Sequence, residues 1–364
     1  MRHFGFFIAY LILAINIFFI SLLLLTAYSP HIHPTVHPIA SCLGLTFPIF
    51  LVVNSCFLLF WIIIQKYKYA LIPLAGFILC YPQIRTYFPI NFHTNELPSG
   101  SFKILSYNIM GFNGTIKKNG ENPILEYLRN SKADILCLQE YTTSTIQHHL
   151  SQKDVENALV NYPYHKIQIV GNGHANRIAC YSKYPIISSR TLDYKSEYNG
   201  SVVYELKIGK DTVTLINNHL ESNKLTKEDK VVYEDILKSP QAEKVKIGAS
   251  MLIHKLAEAS AIRAPQADKI AQEINSSKYS HIIVCGDFND TPISYAHRII
   301  AKDLHDTFTE SGRGLGISYN QNRFYFRIDN ILASKNFKSY NCTVDRSIKY
   351  SDHYPIWCYL NIIN

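Results

Sequence analysis

The stretch HIIVCGDFN, residues 281–289, is the most informative part of this sequence. Its apolar run is too short for a core helix and is typical of a buried strand. The run stops on Asp287, and Asn289 follows two residues later. A second stretch, YSDHYP at residues 350–355, places Asp352 and His353 before another apolar run. Strands that finish in polar side chains are a common way for a rigid scaffold to present a site.

Other strand patterns carry polar side chains at comparable positions. Asn108, Glu140 and His219 each stand at the carboxyl end of an apolar run. Asp329 lies inside a strand pattern, and His353 lies just before the last one. If those last two strands run antiparallel to the others, all of these side chains meet at one edge.

The region from residue 101 to residue 364 alternates short apolar strands with amphipathic helices. The predicted strands are residues 102–108, 133–140, 177–182, 202–208, 212–218, 281–285, 327–333 and 354–360. Helical patterns are clearest over residues 122–130 and 250–274. This alternation indicates an α/β fold in which two sheets pack face to face and helices cover the outside. Residues 93–100, which are polar and contain Pro and Gly, predict a linker before it.

Apolar stretches dominate residues 1–92. Residues 4–28 and 39–64 contain no charged side chain, and each is long enough to cross a hydrocarbon core of roughly 30 Å. Residues 69–88 predict a third and weaker span, because two prolines interrupt it. A cleaved signal peptide is the alternative for the first stretch, although its apolar run exceeds the usual length of about 7–15 residues.

Lysine and arginine positions predict the orientation of these spans. Arg2 precedes the first span, residues 29–38 contain neither residue type, and Lys66 and Lys68 lie between the second and third spans. Basic residues favour the cytoplasmic side, so three spans place the large domain outside the cytoplasm and two spans keep it inside. We expect an integral protein of a bacterial inner membrane with an extracytoplasmic domain. Residues 29–38 would then form a polar loop on that outer side.

Composition limits the chemistry without selecting a substrate. The eight cysteines form no Cys-x-x-Cys pair, and Cys137 and Cys285 interrupt apolar strands. This pattern is typical of small buried residues, and it favours neither a disulfide framework nor zinc. The formal net charge is +8, of which +5 falls after residue 99. Such a mild positive charge favours anionic partners but does not distinguish nucleic acid from anionic lipid.

The converging side chains suit one divalent cation and one phosphate ester. Carboxylate and amide oxygens are ligands that Mg²⁺ or Mn²⁺ prefers. Asp287 and Asn289 point the same way while the backbone stays extended, so the first can transfer a proton while the second donates to a phosphoryl oxygen. An imidazole needs an orienting carboxylate, and we predict that Asp329 pairs with His353.

Six short segments occur in a fixed order: LSYN (105–108), LQE (138–140), NHL (218–220), GDFN (286–289), RID (327–329) and SDH (351–353). As a set they resemble the endonuclease/exonuclease/phosphatase superfamily, which has the pancreatic-deoxyribonuclease-like fold. The resemblance covers about residues 101–364. It implies a four-layered α/β sandwich that hydrolyses a phosphate ester by in-line attack of water.

The same resemblance implies a metal site. Glu140 resembles the metal carboxylate of the family, with Asn108 assisting it. Asp352 resembles a second acid of that site. The expected cofactor is Mg²⁺, with Mn²⁺ as an alternative, and it would stabilise developing negative charge as a Lewis acid.

Catalytic roles follow from the resemblance in the same way. Asp287 resembles the acid or base that serves the water or the leaving oxygen, and Asn289 resembles a phosphate-binding group. His353, paired with Asp329, resembles a base or a stabiliser of the transition state. His219 resembles the phosphate-contacting histidine that some members have.

Two further features carry alternatives. Arg263 would bind a substrate phosphate through two parallel hydrogen bonds, or it is an arginine on a helix surface. Residues 222–249 are rich in Lys, Glu and Asp, which is typical of a solvated surface helix. A flap over the site is the alternative for that segment.

The sequence therefore favours a membrane-anchored, divalent-metal-dependent phosphoesterase that hydrolyses phosphodiester bonds, most simply an endonuclease-like enzyme. A sphingomyelinase-like enzyme acting on a lipid head group, or on another small phosphodiester, is the alternative, because tethering to a bilayer brings site and substrate together. A catalytically silent membrane receptor on the same fold is the third hypothesis. The expected partner is a phosphodiester substrate, either nucleic acid or a lipid head group, and no obligate protein partner is evident.

Overall fold

The computed structural model describes residues 2–115, 120–146, 149–173, 176–238, 241–321 and 324–363. The chain forms an N-terminal helical bundle followed by an α/β domain. The bundle contains α1 (Arg2–Tyr28), α2 (Pro38–Ser41), α3 (Phe47–Ile63), α4 (Tyr67–Leu79) and α5 (Tyr81–Tyr87), with 3₁₀ turns at Ser29–His31 and Cys42–Thr46.

The bundle turns apolar side chains outward. Two of its segments, Phe7–His31 and Pro38–Ile63, are long and apolar enough to cross a membrane. In the most apolar stretch of each segment, only 17% of the residues are buried inside the protein. An outward apolar surface of this extent is unusual on a protein surrounded by water. The helix pair is consistent with a membrane anchor and coincides with the first two predicted spans.

The third predicted span, residues 69–88, is divided in the structure. α4 has 13 residues, which at about 1.5 Å per residue is roughly 20 Å. The helix is interrupted at Cys80, whose φ and ψ are −97° and 8°. Pro82 lies in the first turn of α5 and has no N–H to donate to the carbonyl four residues earlier, so it cannot continue the hydrogen bonding of α4. α4 alone is therefore shorter than a hydrocarbon core of roughly 30 Å.

Buried asparagines hold α1 against α3. Asn16 Nδ2 donates to Asn54 Oδ1 at 3.3 Å, and Trp61 Nε1 donates to Asn16 Oδ1 at 3.1 Å. Asn54 Nδ2 also donates to the Phe19 carbonyl at 3.0 Å. Hydrogen bonds between apolar helices are a recognised source of association within membranes. The bundle is therefore one packed unit.

In the part of the chain that the structure describes, two six-stranded sheets form the α/β domain. Its strands are β1 (Phe102–Asn108), β2 (Ile135–Gln139), β3 (Tyr164–Val170), β4 (Asn176–Ser182), β5 (Ile186–Thr191), β6 (Gly200–Ile208), β7 (Asp211–His219), β8 (His281–Asp287), β9 (Leu304–Asp306), β10 (Asp329–Ser334), β11 (Phe337–Val344) and β12 (Ile356–Ile362). The strand orders are β11-β12-β1-β2-β4-β3 and β5-β6-β7-β8-β10-β9. All eight predicted strands are present, and the four that were not predicted are the four edge strands.

Within the described residues, one left-handed turn and six helices complete the domain. The turn is α6 (Met110–Gly114), and the helices are α7 (Pro123–Asn130), α8 (Gln152–Ala158), α9 (Lys227–Lys238), α10 (Ala242–Ser276), α11 (Tyr295–Ile300) and α12 (Thr307–Ser311). α7 begins where Asn122 Oδ1 accepts hydrogen bonds from the backbone of Ile124 and Leu125, which satisfies donors that the first helical turn leaves free. α10 contains the predicted helix 250–274 and begins eight residues earlier.

Four layers result from the packing. Apolar side chains of both sheets, including Ile104, Leu215 and Ile283, form a common core between them. α7 and α8 cover the outer face of the first sheet, and α10 and α11 cover the outer face of the second. The predicted four-layered α/β sandwich is confirmed. Cys137 and Cys285 are buried in the central core, as predicted, and the eight cysteines are free.

The directions of the strands place the ends that carry the predicted site residues at one edge of the sandwich. β1 and β2 are parallel, as are β7 and β8. β12 runs antiparallel to β1, and β10 runs antiparallel to β8 so that Asp329 pairs with Asp287. The carboxyl ends of four strands and the amino ends of two others therefore share one edge of the sandwich.

The bundle is docked on the α/β domain. A Cβ atom built on Gly44 would lie 2.0 Å from the carbonyl oxygen of Ile293, so only glycine permits this approach. Arg298 Nε donates to the Pro30 carbonyl at 2.8 Å. The predicted linker also packs on the domain. The backbone N–H of Thr94 donates to Asn341 Oδ1 of β11 at 2.8 Å. Bundle, linker and domain are thus in direct contact.

Candidate active site

Six of the predicted site residues stand on the shared edge of the two sheets. They are Asn108 at the end of β1, Glu140 directly after β2, His219 at the end of β7, Asp287 at the end of β8, Asp329 at the start of β10 and His353 three residues before β12. The structure therefore brings together side chains that are as far apart in sequence as Asn108 and His353.

Asn108 connects the two sheets at the centre of this edge. Its Nδ2 donates to Glu140 Oε1 at 3.0 Å and to Asp287 Oδ2 at 3.2 Å. Its Oδ1 accepts the backbone N–H of Met110 at 3.1 Å, which fixes the orientation of the amide. Asn108 thus holds two carboxylates, one from each sheet, beside each other.

His353 and Asp329 form the predicted pair. His353 Nδ1 lies 2.8 Å from Asp329 Oδ2, and His353 Nε2 lies 3.6 Å from Asp287 Oδ2. All three side chains are buried. Burial on its own would lower the pKa of His353, but the carboxylates of Asp329 and Asp287 hold it well above its usual range. The imidazole is therefore fixed in place and favoured in its protonated form.

Asp287 is the carboxylate on which most donors converge. Its Oδ1 accepts the backbone N–H of Asn289 at 2.8 Å. Burial raises the pKa of Asp287 to about 6, although the neighbouring His353 and His219 oppose that shift. A carboxyl group with a pKa near the working pH is suited to exchange protons with substrate or water.

His219 lies between the carboxylates of the two sheets. Its Nε2 is 3.5 Å from Glu140 Oε1 and 3.7 Å from Asp287 Oδ2. Its Nδ1 is 3.2 Å from Asn176 Nδ2, and an amide NH₂ group can only donate. Nδ1 is then an acceptor, so the ring proton sits on Nε2 and points toward the carboxylates. Asn176 was not predicted, because an asparagine at the start of an apolar strand has no distinctive pattern.

The expected extension of the backbone between Asp287 and Asn289 is wrong. β8 ends at Asp287, and Asn289 adopts a left-handed conformation with φ 51°. Its Nδ2 donates to the Leu220 carbonyl at 2.9 Å and lies 3.3 Å from Asp287 Oδ2. The turn directs these two amide hydrogens toward protein acceptors. In this structure Asn289 therefore positions Asp287, and its predicted phosphate contact stays a prediction.

Left-handed backbone recurs around the site. Glu140 has φ 52°, and residues 110–115, which follow Asn108 closely, all have φ between 45° and 75°. Non-glycine residues rarely adopt this conformation, and it clusters at functional sites where the surrounding structure imposes it. For Glu140 the tight turn directly after β2 aims the carboxylate at the edge and away from the strand.

Ser351 fastens the segment that carries Asp352 and His353. Its Oγ donates to the Asn108 carbonyl at 2.7 Å and accepts the backbone N–H of His353 at 3.2 Å. Asp352 is half-buried and faces the same cavity as His353. Ser351 belongs to the predicted SDH motif, but nothing in the sequence indicates this positioning role.

Tyr319 is an aromatic neighbour of the site that the sequence did not reveal. Its ring packs edge-on against the His353 imidazole, with 5.1 Å between ring centroids. It also lines the cavity in front of Asp287. It lies in a segment without a strand or helix pattern, so periodicity could not single it out.

Arg263 is buried in α10 and only 3% exposed, so its interpretation as a helix-surface arginine is wrong. Its Nη1 donates to the Glu221 carbonyl at 2.8 Å and to Asn223 Oδ1 at 2.9 Å. Its Nη2 pairs with Asp290 Oδ2 at 3.2 Å. These bonds hold the loop after β7 and the turn after β8. Its predicted contact with substrate phosphate stays a prediction.

The residues present suit a divalent cation. One ligand atom each of Asp287, Asp329 and His353 lies within 4.8 Å of the others. A protonated imidazole has no lone pair for a metal, so the carboxylates are the candidate ligands in this group. Asp329 Oδ1 is buried without a hydrogen-bond partner in the described part of the chain. Among the described residues, the ion pairs of Glu140 and of these two aspartates are all with histidines. Oxygen-rich sites without a Lys or Arg counter-ion favour Mg²⁺ or Mn²⁺.

A cavity of about 560 Å³ opens in front of these residues. Its polar end is lined by Glu140, His219, Asp287, Asn289, Asp352 and His353. α9 and the start of α10 stand over the cavity, and Tyr233 of α9 stacks on Phe324 with ring centroids 4.0 Å apart. Residues 222–238 and 241–249 therefore contribute side chains that line the cavity, and their predicted action as a flap stays a prediction.

Comparison with known proteins agrees with this architecture. Residues 105–353, more than half of the chain, match the Endonuclease/Exonuclease/phosphatase family. Residues 9–87 match a Domain of unknown function (DUF8431). The CCR4-Not complex 3'-5'-exoribonuclease subunit Ccr4 of Mycosarcoma maydis is 24% identical over 305 residues, 70% of this chain and 45% of that protein. The chain thus spans about half the length of the curated relative it matches.

Solved structures with a similar fold are more distant in sequence. An endonuclease/exonuclease/phosphatase from Beutenbergia cavernae DSM 12333 is 14% identical, with 72% of each chain covered and a TM-score of 0.49. The human Nocturnin catalytic domain with bound sulfate anion is 14% identical, with 75% of this chain and 96% of that chain covered and a TM-score of 0.48. From the match over residues 105–353, this chain belongs to the Endonuclease/Exonuclease/phosphatase family.

Proposed function

We propose that this protein is a membrane-anchored, divalent-metal-dependent hydrolase of phosphodiesters. The observation that carries the proposal is the buried set of Asp287, His353 and Asp329 at the polar end of the cavity, with Glu140 beside it. Membership of the family supports hydrolysis of phosphodiester bonds. The intact set of acids and imidazoles favours an enzyme over a catalytically silent receptor.

In this proposal Asp287 and His353 handle protons and charge. Asp287 takes a proton from water as the water oxygen attacks phosphorus, and the P–O bond to the leaving alcohol breaks. His353, kept protonated by Asp329, stabilises negative charge on the phosphoryl oxygens. The leaving oxygen takes up the proton that Asp287 removed, returned directly or through water, which completes an alcohol and a phosphate monoester and restores the Asp287 carboxylate. His219, with its proton on Nε2, is placed to donate to a phosphoryl oxygen.

Glu140 and Asp352 would hold the metal, with Asn108 assisting. The Glu140 side chain is 37% exposed, so its carboxylate keeps coordination positions open toward the cavity. Asp329 is already engaged by His353 at 2.8 Å, which suits a positioning role better than a ligand role. Mg²⁺ or Mn²⁺ bound there would supply Lewis-acid stabilisation of the developing charge.

The test is hydrolysis of bis(p-nitrophenyl) phosphate by the full chain in detergent, with Mg²⁺ titrated against chelator. We expect Glu140→Gln to raise the Mg²⁺ concentration needed for half-maximal rate by about 10- to 100-fold, because a carboxylate ligand is lost. Glu310→Gln, a change at an acid on α12 away from the cavity, is the matched control. A Glu140→Gln variant with the metal requirement of the wild type would contradict the assignment.

We also propose that the domain lies on the extracytoplasmic side. His33, in the loop after α1, contacts Asp268 of the domain at 3.3 Å. Lys66 and Lys68 lie at the far end of α3, and basic loops favour the cytoplasm. α4 and α5 together, rather than α4 alone, then return the chain to the side of the domain. That the membrane is a bacterial inner membrane stays a prediction.

Labelling with a membrane-impermeant maleimide tests this orientation. Lys335→Cys on the exposed surface of the domain should react in intact cells. Lys68→Cys should react only after the membrane is permeabilised. The opposite pattern would place the domain in the cytoplasm.

A nucleic-acid substrate is the second candidate. It is favoured by the match to a relative whose name describes an exoribonuclease subunit. Cleavage of single-stranded RNA or DNA with Mg²⁺, at a rate above that of lipid esters, would select it.

A further inference from the structure

The cavity in front of the active site has a second end that is apolar. We call this part the apolar chamber, and it is lined by Leu45, Ile49, Ile236, Leu252, Leu256 and Phe324. The whole cavity measures about 560 Å³, within the range that accommodates most of a small-molecule ligand. It therefore offers a carboxylate and imidazole end for a phosphate and a hydrocarbon end for something apolar.

One wall of the apolar chamber belongs to the helical bundle. Leu45 lies in the 3₁₀ turn Cys42–Thr46, and Ile49 lies in the first turn of α3. The adjacent Gly44 touches the Ile293 carbonyl so closely that no side chain would fit. The α/β domain alone would leave this side of the cavity open, so the docked bundle completes it.

The opposite wall belongs to α9 and α10. Ile236 of α9 and Leu252 and Leu256 of α10 face the same space. Phe324 closes the end of the chamber, where Tyr233 stacks on its ring. The part of α9 and α10 that covers the site therefore lines the chamber with hydrocarbon side chains.

The charges around the cavity do not suit a long polyanion. Among the described lining residues, the lysine and arginine side chains are Lys224 and Arg263. Lys224 Nζ pairs with Glu221 Oε1 at 2.9 Å, and Arg263 Nη2 pairs with Asp290 Oδ2 at 3.2 Å. A groove that tracks a nucleic-acid backbone needs basic side chains that are available to phosphates.

The apolar chamber is continuous with surface that the bundle turns toward the bilayer. Ile49 is 59% exposed, and Ile253, on the facing side of α10, is 41% exposed. α3 begins at Phe47, so at about 1.5 Å per residue Ile49 lies roughly 3 Å from the end of α3 that contacts the α/β domain. When α3 spans a bilayer, this end lies near the boundary between the head groups and the hydrocarbon core. The chamber therefore borders the acyl region next to the head groups of one leaflet.

We propose that the substrate is a phosphodiester lipid taken directly from the bilayer. Its phosphate sits at Asp287 and His353, and one of its hydrocarbon chains occupies the apolar chamber. This inference rests on the proposed hydrolase function and adds the substrate class. The anchor then has two roles, since it holds the domain at the membrane and forms part of the substrate site.

The test uses the full chain in phosphatidylcholine nanodiscs that also contain sphingomyelin or phosphatidylglycerol, with bis(p-nitrophenyl) phosphate as the reference ester. We expect lipid to be cleaved with the higher kcat/KM. Among water-dispersed lipids of decreasing chain length, kcat/KM should fall by about fourfold for each buried methylene that is removed. This series uses wild-type protein and is independent of any folding defect in a variant.

Two variants reduce the volume of the apolar chamber, each by adding a larger side chain to one of its two walls. Leu45→Trp and Leu256→Trp should each lower the ratio of lipid to reference-ester hydrolysis by at least about tenfold, since a misfit in an apolar pocket has effects of this size. Leu71→Trp is the matched control, because Leu71 lies on α4 with 60% of its surface exposed. The control should keep the wild-type ratio.

The outcomes separate the two proposals. Metal-dependent cleavage of the reference ester without cleavage of lipid, or chain-length independence, would overturn the lipid inference and leave the hydrolase. Preferential cleavage of single-stranded RNA, at a rate that neither chamber variant changes, would also overturn it. Failure to cleave any of these esters would instead remove the proposed function itself.

Discussion

Replacing Asp329 with asparagine tests the arrangement around His353 most sharply. The side chain keeps its size, and the buried position at the start of β10 is retained. The negative charge that faces His353 Nδ1 at 2.8 Å is lost. An amide at this place can also turn its NH₂ toward Nδ1 and force the ring proton onto Nε2, which faces Asp287 at 3.6 Å.

The size of the effect follows from these contacts. A hydrogen bond to a charged group is worth about 1.5–3 kcal/mol, which corresponds to roughly 10- to 150-fold in rate if it acts in the transition state. Where the wrong tautomer dominates, the loss in a comparable Asp–His arrangement reaches about 10⁴-fold. We therefore expect Asp329→Asn to lower kcat by about 10²- to 10⁴-fold. KM should change little, because Asp329 lies behind His353.

The assay is steady-state hydrolysis of bis(p-nitrophenyl) phosphate at saturating Mg²⁺. Asp193→Asn, the same change at an exposed aspartate, controls for loss of one negative charge. Thermal unfolding of both variants separates a catalytic effect from a folding defect. A folded Asp329→Asn variant with kcat within about threefold of wild type would refute the pairing as a catalytic device.

Three further predictions concern stability and positioning. Burial alone would raise the pKa of Asp306, but Arg327 and His297 hold it well below its usual range, so its stabilisation is present above about pH 4 and is lost as pH falls toward the depressed pKa. Arg327→Met should therefore lower the free energy of unfolding by about 3–5 kcal/mol at neutral pH and by less in acid; a pH-independent difference in urea titrations would contradict this. Gly44→Val should destabilise the protein by about 1–3 kcal/mol through overpacking against Ile293, measured as a lower Tm in detergent, and an unchanged Tm would argue against the docked bundle. Ser351→Ala should lower kcat with a stability loss of only about 1 kcal/mol, and kcat equal to wild type would show that its hydrogen bonds do not position His353.

Sequence patterns identify the central strands and miss the edges for a physical reason. β1 is buried along its whole length, and its apolar run is unmistakable. β5, IISSRT, is exposed or half-exposed at every position, because an edge strand has a neighbour on one side only. β9 has three residues, and β11 has a bulge that interrupts its alternation. A strand that is buried on both faces has a continuous apolar run in its sequence, and these edge strands have no such run.

The site has parts that the sequence predicts and parts that it does not, for a related physical reason. Strand ends and strand directions are local or topological properties, so the convergence of Asn108, Glu140, Asp287 and His353 followed from the sequence. The left-handed turn at Asn289 was not predicted, because asparagine accepts several backbone conformations and the sequence does not choose among them. The wall that the bundle adds to the cavity depends on contacts between distant segments, and no local periodicity encodes them.

The central claim is that Asp287 and its neighbours catalyse metal-dependent hydrolysis of a phosphodiester. The most direct measurement is product release from sphingomyelin nanodiscs and from bis(p-nitrophenyl) phosphate by wild type and Asp287→Asn, each with Mg²⁺ and with chelator. We predict hydrolysis by wild type only with the metal, and a rate about 10²- to 10⁴-fold lower for a folded Asp287→Asn variant. Hydrolysis that survives chelation, or an Asp287→Asn variant as active as wild type, would contradict the account.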